Sequence, residues 1–217
     1  MSVQESDERL AVENAPPRNP GAPELPAEHA LLGLLSLSSG TAHGYHLARQ
    51  FRRDQPLGEV IRLESAMLYK HLKKLARLGW ITMTTEDQAP RPPRQICHLT
   101  STGTEELHRW LAEPVARTRE IRLEFLVKLY FAMHLAPDLA LHLATEQQSV
   151  MLQLANSLSE QRAALQMPAD ASPGDDLFFQ DLVLELRQRQ THAAAEWLGQ
   201  TVTTLQSVQG PGTSVAT

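Results

Sequence analysis

One cysteine, Cys97, in 217 residues leaves no partner for an intrachain disulfide and no thiolate set for a zinc finger. A small buried residue in a strand is the expected role for it. Glycines are few and scattered. None falls in a Gly-rich phosphate loop or a Gly-x-Ser-x-Gly elbow, so the common nucleotide and acyl-transfer signatures are missing. His43 and His46 form a short pair, and His134 and His142 lie eight apart. Neither pair has a third ligand placed by spacing, so no metal is expected. Glu105 and Glu106 open a helix, where acidic groups favour the macrodipole. Neither an enzyme nor a cofactor is expected. No apolar run is long enough to cross a bilayer. The N-terminus lacks the basic stretch and apolar block of a secretory signal. No membrane partner is expected, and the cytoplasm is the expected compartment.

A net charge of −5 argues against a nucleic-acid partner until it is divided along the chain. Residues 1–26 hold two basic and five acidic side chains, net −3. Residues 27–114 hold eleven and nine, net +2, and residues 115–217 hold seven and eleven, net −4. Only the middle block is positive, and for a phosphate backbone clustering matters more than the total.

The first block is crowded with Pro16, Pro17, Pro20, Pro23 and Pro26 and shows no apolar periodicity, so 1–26 reads as a disordered arm. Helices are expected over 27–37 (Ala30, Leu31, Leu34, Leu35 inward), 43–53, and 65–78 with Ser65 as N-cap and Gly79 as stop. Pro56 and Gly58 predict a loop, and residues 60–63 a short strand. Residues 80–85 and 95–99 predict a hairpin with a polar tip over 86–93, whose prolines exclude a tight two-residue turn. Thr100 caps a helix over 101–112. Beyond Arg117 the reading is helical: 120–135, then a helix opened by Pro137 and running to 167, a turn over 168–174, and a helix over 175–206. A frayed tail follows over 208–217.

Three helices, a hairpin and a helix are the order of a winged helix-turn-helix. The expected fold class is mainly α: a winged domain over 27–114 with a β-hairpin wing, then a helical dimerisation domain over 115–207. The helix over 65–78 is the candidate reader of a major groove. Lys70, Lys73, Lys74 and Arg77 share one face, away from Leu68, Leu72 and Leu75. Arg91 and Arg94 add charge to the wing. Ser65, Ala66, Tyr69 and Lys70, at the start of the helix, are the candidates for base contact. Lys73, Lys74 and Arg77 suit the phosphate backbone.

These residues resemble the PadR family of bacterial regulators. The segments are His29 to Leu35 (HALLGLL), Ala42 to Leu47 (AHGYHL), Met67 to Leu75 (MLYKHLKKL), Leu78 to Ile81 (LGWI), Arg91 to Arg94 (RPPR) and Leu99 to Gly103 (LTSTG). The resemblance implies a winged fold with C-terminal dimerising helices. It implies DNA contacts from the Tyr69 and Lys70 region and the Arg91 and Arg94 wing, with Tyr45 near the backbone. It also implies repression and response to a small aromatic effector. Cys97 stands where the family usually has a tyrosine. Arg119 to Leu129 (REIRLEFLVKL) is similar to the larger, AphA-like subgroup, whose last helices pair between subunits.

Leu177, Phe178, Leu182, Leu184, Leu186, Trp197 and Leu198 make the last helix apolar over more than one seam, which points to a partner as well as to its own chain. The expected function is a homodimeric, sequence-specific regulator reading a palindrome in double-stranded DNA. The alternative is a winged module for protein docking or effector sensing without DNA. Trp110, Phe125 and Tyr130 are candidate effector-lining aromatics.

Overall fold

The computed structural model describes residues 26–88, 91–165 and 176–209. Of the arm expected over 1–26 and the tail expected over 208–217, residues 1–25 and 210–217 lie outside the described residues, as does the turn expected over 168–174; Val208 and Gln209, expected in the tail, belong to the last helix. Helix α1 (Ala27–Leu37) ends in a turn through Ser39 and Gly40, both at positive φ, and leads into β1 (Thr41–His43). Then come α2 (Gly44–Gln50), α3 (Pro56–Val60) and α4 (Ser65–Arg77). Strands β2 (Ile81–Gln88) and β3 (Arg91–Leu99) precede α5 (Ser101–Ala112). The sheet is antiparallel, in the order β1-β3-β2. Cys97 faces Ala42 on one side and Met83 on the other and is fully buried, which pushes its thiol up to about 11. It therefore stays protonated and inert at neutral pH.

Helix α4 stops as expected. Gly79, at φ 74°, donates to the Ala76 carbonyl (3.1 Å), and Trp80 donates to Leu75 (3.1 Å). This is the paired closure of a Schellman motif, which needs the left-handed conformation glycine takes freely. Thr100 caps α5, its Oγ1 accepting from the Gly103 amide at 3.1 Å.

Several local expectations are corrected. Ser65 is the first residue of α4, not its cap; that position belongs to Glu64, whose side chain makes no cap bond. Pro56 begins a short helix in place of the expected loop, because its fixed φ suits a first turn. Residues 61–64, which include most of the expected short strand, have no sheet assignment. The expected start of the second helix, His43, is instead the end of β1. Gln88 faces Arg91, so only positions 89 and 90 intervene at the wing tip, where a longer turn was expected. A shift in register between Glu86 and Gln88 takes up the extra residue on β3, beside Pro92 and Pro93.

In the second half α6 (Thr118–Glu120), a π-helical turn (Ile121–Phe125) and α7 (Leu126–Leu135) run on as one segment. Long helices α8 (Pro137–Ala164) and α9 (Asp176–Gln209) pack along each other. The seam is closed by Met151, Ala155, Leu158, Ala195 and Leu198. Arg162 crosses it to Asp181 (2.6 Å) and Glu185 (3.2 Å). Leu198 is fully buried here, so it cannot serve the dimer contact expected of it. Gln147 on α8 clamps the connector between the halves: its Oε1 accepts from the Val115 amide (2.7 Å) and its Nε2 donates to the Val115 carbonyl (2.8 Å).

The two halves share packing through α7. Val127 and Phe131 belong to the core of the winged half, while Leu129 and Ala132 of the same helix belong to that of the helical half. Phe131 lies against Gly33 of α1, where a Cβ would come within 2.6 Å of the ring. That is why α1 is buried nearly all round and not only along one stripe.

A polar cluster sits beside this contact. His29 is buried, stacks on Trp110 (4.6 Å, 11°) and donates from Nε2 to Glu106 at 2.8 Å. Burial holds its pKa down to about 4, against 6.5 for the free side chain. Lys128, also buried, donates to the Glu113 carbonyl and lies 3.5 Å from Glu124, which accepts from the Trp110 indole at 3.0 Å. Trp110 and Phe125 are fully packed in two separate cores. They do not form the shared effector lining expected of them with Tyr130. His29 fixes a pH dependence. The unfolded chain takes up its proton near 6.5 and the folded one only near 4, so stability is lost as pH falls through that window. Urea unfolding should show a loss of roughly 2–3 kcal/mol from this group across the window, and His29→Phe should flatten that part of the curve.

Candidate nucleic-acid interface

The amphipathic pattern of α4 sorts its residues cleanly. Leu68, His71, Leu72 and Leu75 face the core, while Ser65, Ala66, Tyr69, Lys70, Lys73 and Arg77 face solvent. Among the described residues Lys70, Lys73 and Arg77 make no ion pair. They form an unneutralised ridge along the outer side of the helix.

Lys74 departs from that ridge. It lies one turn beyond His71, on the border between outer face and core. Its Nζ reaches Glu28 Oε1 at 3.1 Å, and His71 Nδ1 meets the same oxygen at 2.9 Å. The Glu28 carboxyl group is completely buried, and its Oε2 has no partner. A carboxylate in that position needs a cation nearby. Lys74 therefore serves the fold and stands apart from the unpaired ridge.

Three further predicted residues converge at the start of α4. Tyr69 lies against Gly44, where a Cβ would stand 3.0 Å from the phenol oxygen. The absent side chain lets α2 and α4 approach. Tyr45, half exposed, packs on His46 (4.0 Å) and carries the Arg94 guanidinium over its ring at 5.7 Å. The register of β1 on β3, which pairs His43 with Ile96, brings the base of the wing to the start of α2. His98 spans the sheet, contacting Thr41 at 3.2 Å and Thr84 at 3.1 Å. The side chain of Arg91 lies outside the described residues.

Sequence reading missed a second basic group. Arg52, Arg53 and Arg62 rim an open concavity of about 680 Å³ that also includes Glu64, at the start of α4. Arg52 is paired with Asp54 at 3.3 Å. The Arg52–Arg53 doublet and the arginine just before α4 were the available signal.

Comparison with known proteins agrees with this geometry. Residues 31–109 match the model of the transcriptional regulator PadR-like family, and residues 121–206 match the virulence activator alpha C-terminal model. The negative transcriptional regulator PadR of Bacillus subtilis is 30% identical over 152 residues, covering 67% of this chain and 80% of that protein. The chain belongs to the PadR-like family of transcriptional regulators. Its extended C-terminal helices place it with members that carry the second module. Solved structures of B. subtilis PadR include a complex with operator DNA (27% identity, 84% of this chain and 99% of that one, TM-score 0.41). Another is a complex with p-coumaric acid (24% identity, 84% and 98%, TM-score 0.35).

Two neighbouring lysines should differ sharply in their effect on stability. Lys74→Ala leaves the buried Glu28 with His71 alone and should cost roughly 1–3 kcal/mol in urea unfolding. Lys73→Ala, fully on the surface, should stay within about 0.5 kcal/mol of the parent. Equal effects would contradict the pairing with Glu28.

Proposed function

We propose that this PadR-like regulator is a homodimeric repressor. It grips a palindromic operator in double-stranded DNA and is released by a small aromatic effector. The observation that carries the DNA reading is the unpaired ridge Lys70, Lys73 and Arg77, flanked by Tyr45 and Arg94. A helix with free cations beside a basic wing suits a groove between two phosphate walls. Ser65 and Ala66 are small and exposed, so the start of α4 can come close to base edges, with Tyr69 and Lys70 supplying polar contact. Arg91 on the wing, with Arg52, Arg53 and Arg62, extends the backbone footprint. The B. subtilis relative is named a negative regulator and binds operator DNA and p-coumaric acid, which supports both the repressor and the effector readings.

Residues 27–114 act as the DNA-binding domain and 115–207 as the dimerising one. Leu177, Leu182, Leu186 and Trp197 on α9 remain exposed although apolar, and Phe178 and Leu184 are half-buried. Phe179, 66% exposed, continues that surface. An apolar strip of this kind on a monomer calls for a cover, and a second copy supplies one. Two reading helices held about 34 Å apart would meet successive major grooves on one side of the duplex.

DNA affinity measured against salt tests the ridge. Lys73→Ala with Arg77→Ala should weaken binding to every sequence alike and lower the salt slope by about one unit per residue removed. Changes at Ser65 or Lys70 should instead alter the sequence recovered by selection from a random pool. Unchanged affinity in the double variant would remove α4 as the reader. Sedimentation tests the strip: Leu182→Glu with Leu186→Glu should give a folded monomer, and a persisting dimer would place the interface elsewhere.

A further inference from the structure

Beneath the outer ridge of α4 lies a charge that cannot itself touch DNA. Glu28 stands in the first turn of α1, and its side chain is fully buried. Its Oε1 takes two contacts from α4, His71 Nδ1 at 2.9 Å and Lys74 Nζ at 3.1 Å. Among the described residues its Oε2 has no hydrogen-bond partner. His71 is buried beside it, while Lys74 keeps 24% of its side chain exposed.

As a source of stability the arrangement is poor. A buried carboxylate gives up its hydration, and one that is bonded through a single oxygen recovers only part of that loss. Apolar side chains of similar volume would hold the two helices together at least as well. What the cluster supplies is direction. Leu68, Leu72 and Leu75, all fully buried, set how deeply α4 sits on the core. Apolar contact has no preferred angle, whereas hydrogen bonds do. His71 and Lys74 lie three residues apart on one side of α4, and both converge on one oxygen of α1. That helix is itself enclosed nearly all round, with Phe131 against Gly33. The roll of α4 about its own axis is therefore referred to a fixed neighbour.

Roll matters on the opposite side. Side chains reach about 5–6 Å from a helix axis, so a roll of about 20° carries their ends roughly 2 Å sideways. A short side chain aimed at a base edge loses its hydrogen bond over that distance. A lysine on its flexible stem still reaches a phosphate.

We propose that Glu28 is a positioning residue for sequence reading. Through His71 and Lys74 it fixes the roll of α4, and with it the aim of Ser65, Ala66, Tyr69 and Lys70 at base edges. The proposal rests on the DNA reading above and adds to it a separation of tasks. The ridge of Lys70, Lys73 and Arg77 supplies affinity for any duplex, and the buried cluster supplies the choice among duplexes.

The full-length triple variant Glu28→Met/His71→Leu/Lys74→Met tests it. Unlike Lys74→Ala, it leaves no charge enclosed, so its melting temperature should stay within a few degrees of the parent. The parent first selects a duplex from a random pool. Both proteins are then titrated with that duplex and a scrambled one at two salt concentrations. Preference for the selected duplex should fall about tenfold or more in the variant, the loss that one mismatched base pair brings. Affinity for the scrambled duplex and the salt slope should stay as they were. Undiminished preference in the folded variant overturns the proposal. So does a slope lowered by about one unit, which makes Lys74 a phosphate contact. Should the triple variant not fold, Glu28→Gln, which keeps the shape and removes the charge, carries the same test, and preference equal to the parent's overturns the proposal. Acetylation of the parent, read by peptide mass spectrometry, checks the hold without DNA. Lys74 should be marked severalfold more slowly than Lys70 and Lys73, and equal rates overturn the proposal. A parent that shows no preference among duplexes sinks the regulator reading and the Glu28 role with it. A parental preference that the variants keep sinks the Glu28 role alone.

Discussion

The contact between Phe131 and Gly33 holds the molecule together as one object. A winged domain of this size has a modest core, and α1 runs through its middle. With α7 laid against it, α1 is enclosed on all sides, and the winged core gains an aromatic ring and a valine from a segment nearly a hundred residues away in the chain. The same α7 presents Leu129 and Ala132 to the other core. A single helix is thus shared by two hydrophobic clusters, and neither half is complete without it.

Electrostatics is arranged around that apolar frame in two ways. Where a charge is enclosed, it is answered: Glu28 by Lys74 and His71, Lys128 by Glu124 and a backbone carbonyl. Where cations lie open on the outside of α4, Lys70, Lys73 and Arg77 have no carboxylate partner among the described residues. Exposed ion pairs contribute little to stability. Leaving these cations unpaired therefore costs the fold almost nothing and keeps them available to external phosphates.

Much of this order was legible in the sequence. Periodicity of Leu68, Leu72 and Leu75 against Lys70, Lys73 and Arg77 marked both sides of α4. Gly79 and Thr100 marked where elements end and begin, because a left-handed stop and an oxygen cap are local chemistry. What was not legible depends on partners distant in sequence. Lys74 shares the spacing of the ridge, and only Glu28, on another helix, turns it inward. Leu198 fits the apolar pattern of α9 as well as Leu186 does, but one meets α8 and the other meets solvent. Strand β1 is three residues long and exists only because β3 pairs with it. The π-helical turn leaves no periodic signature in five residues.

The bidentate hold of Gln147 on Val115 removes the freedom usually expected between two domains joined by a short connector. With the backbone held at that point and α7 packed into both cores, the two halves are tied together at two places. A substitution at either tie, Gln147 or Phe131, would change how the helical half sits against the winged one.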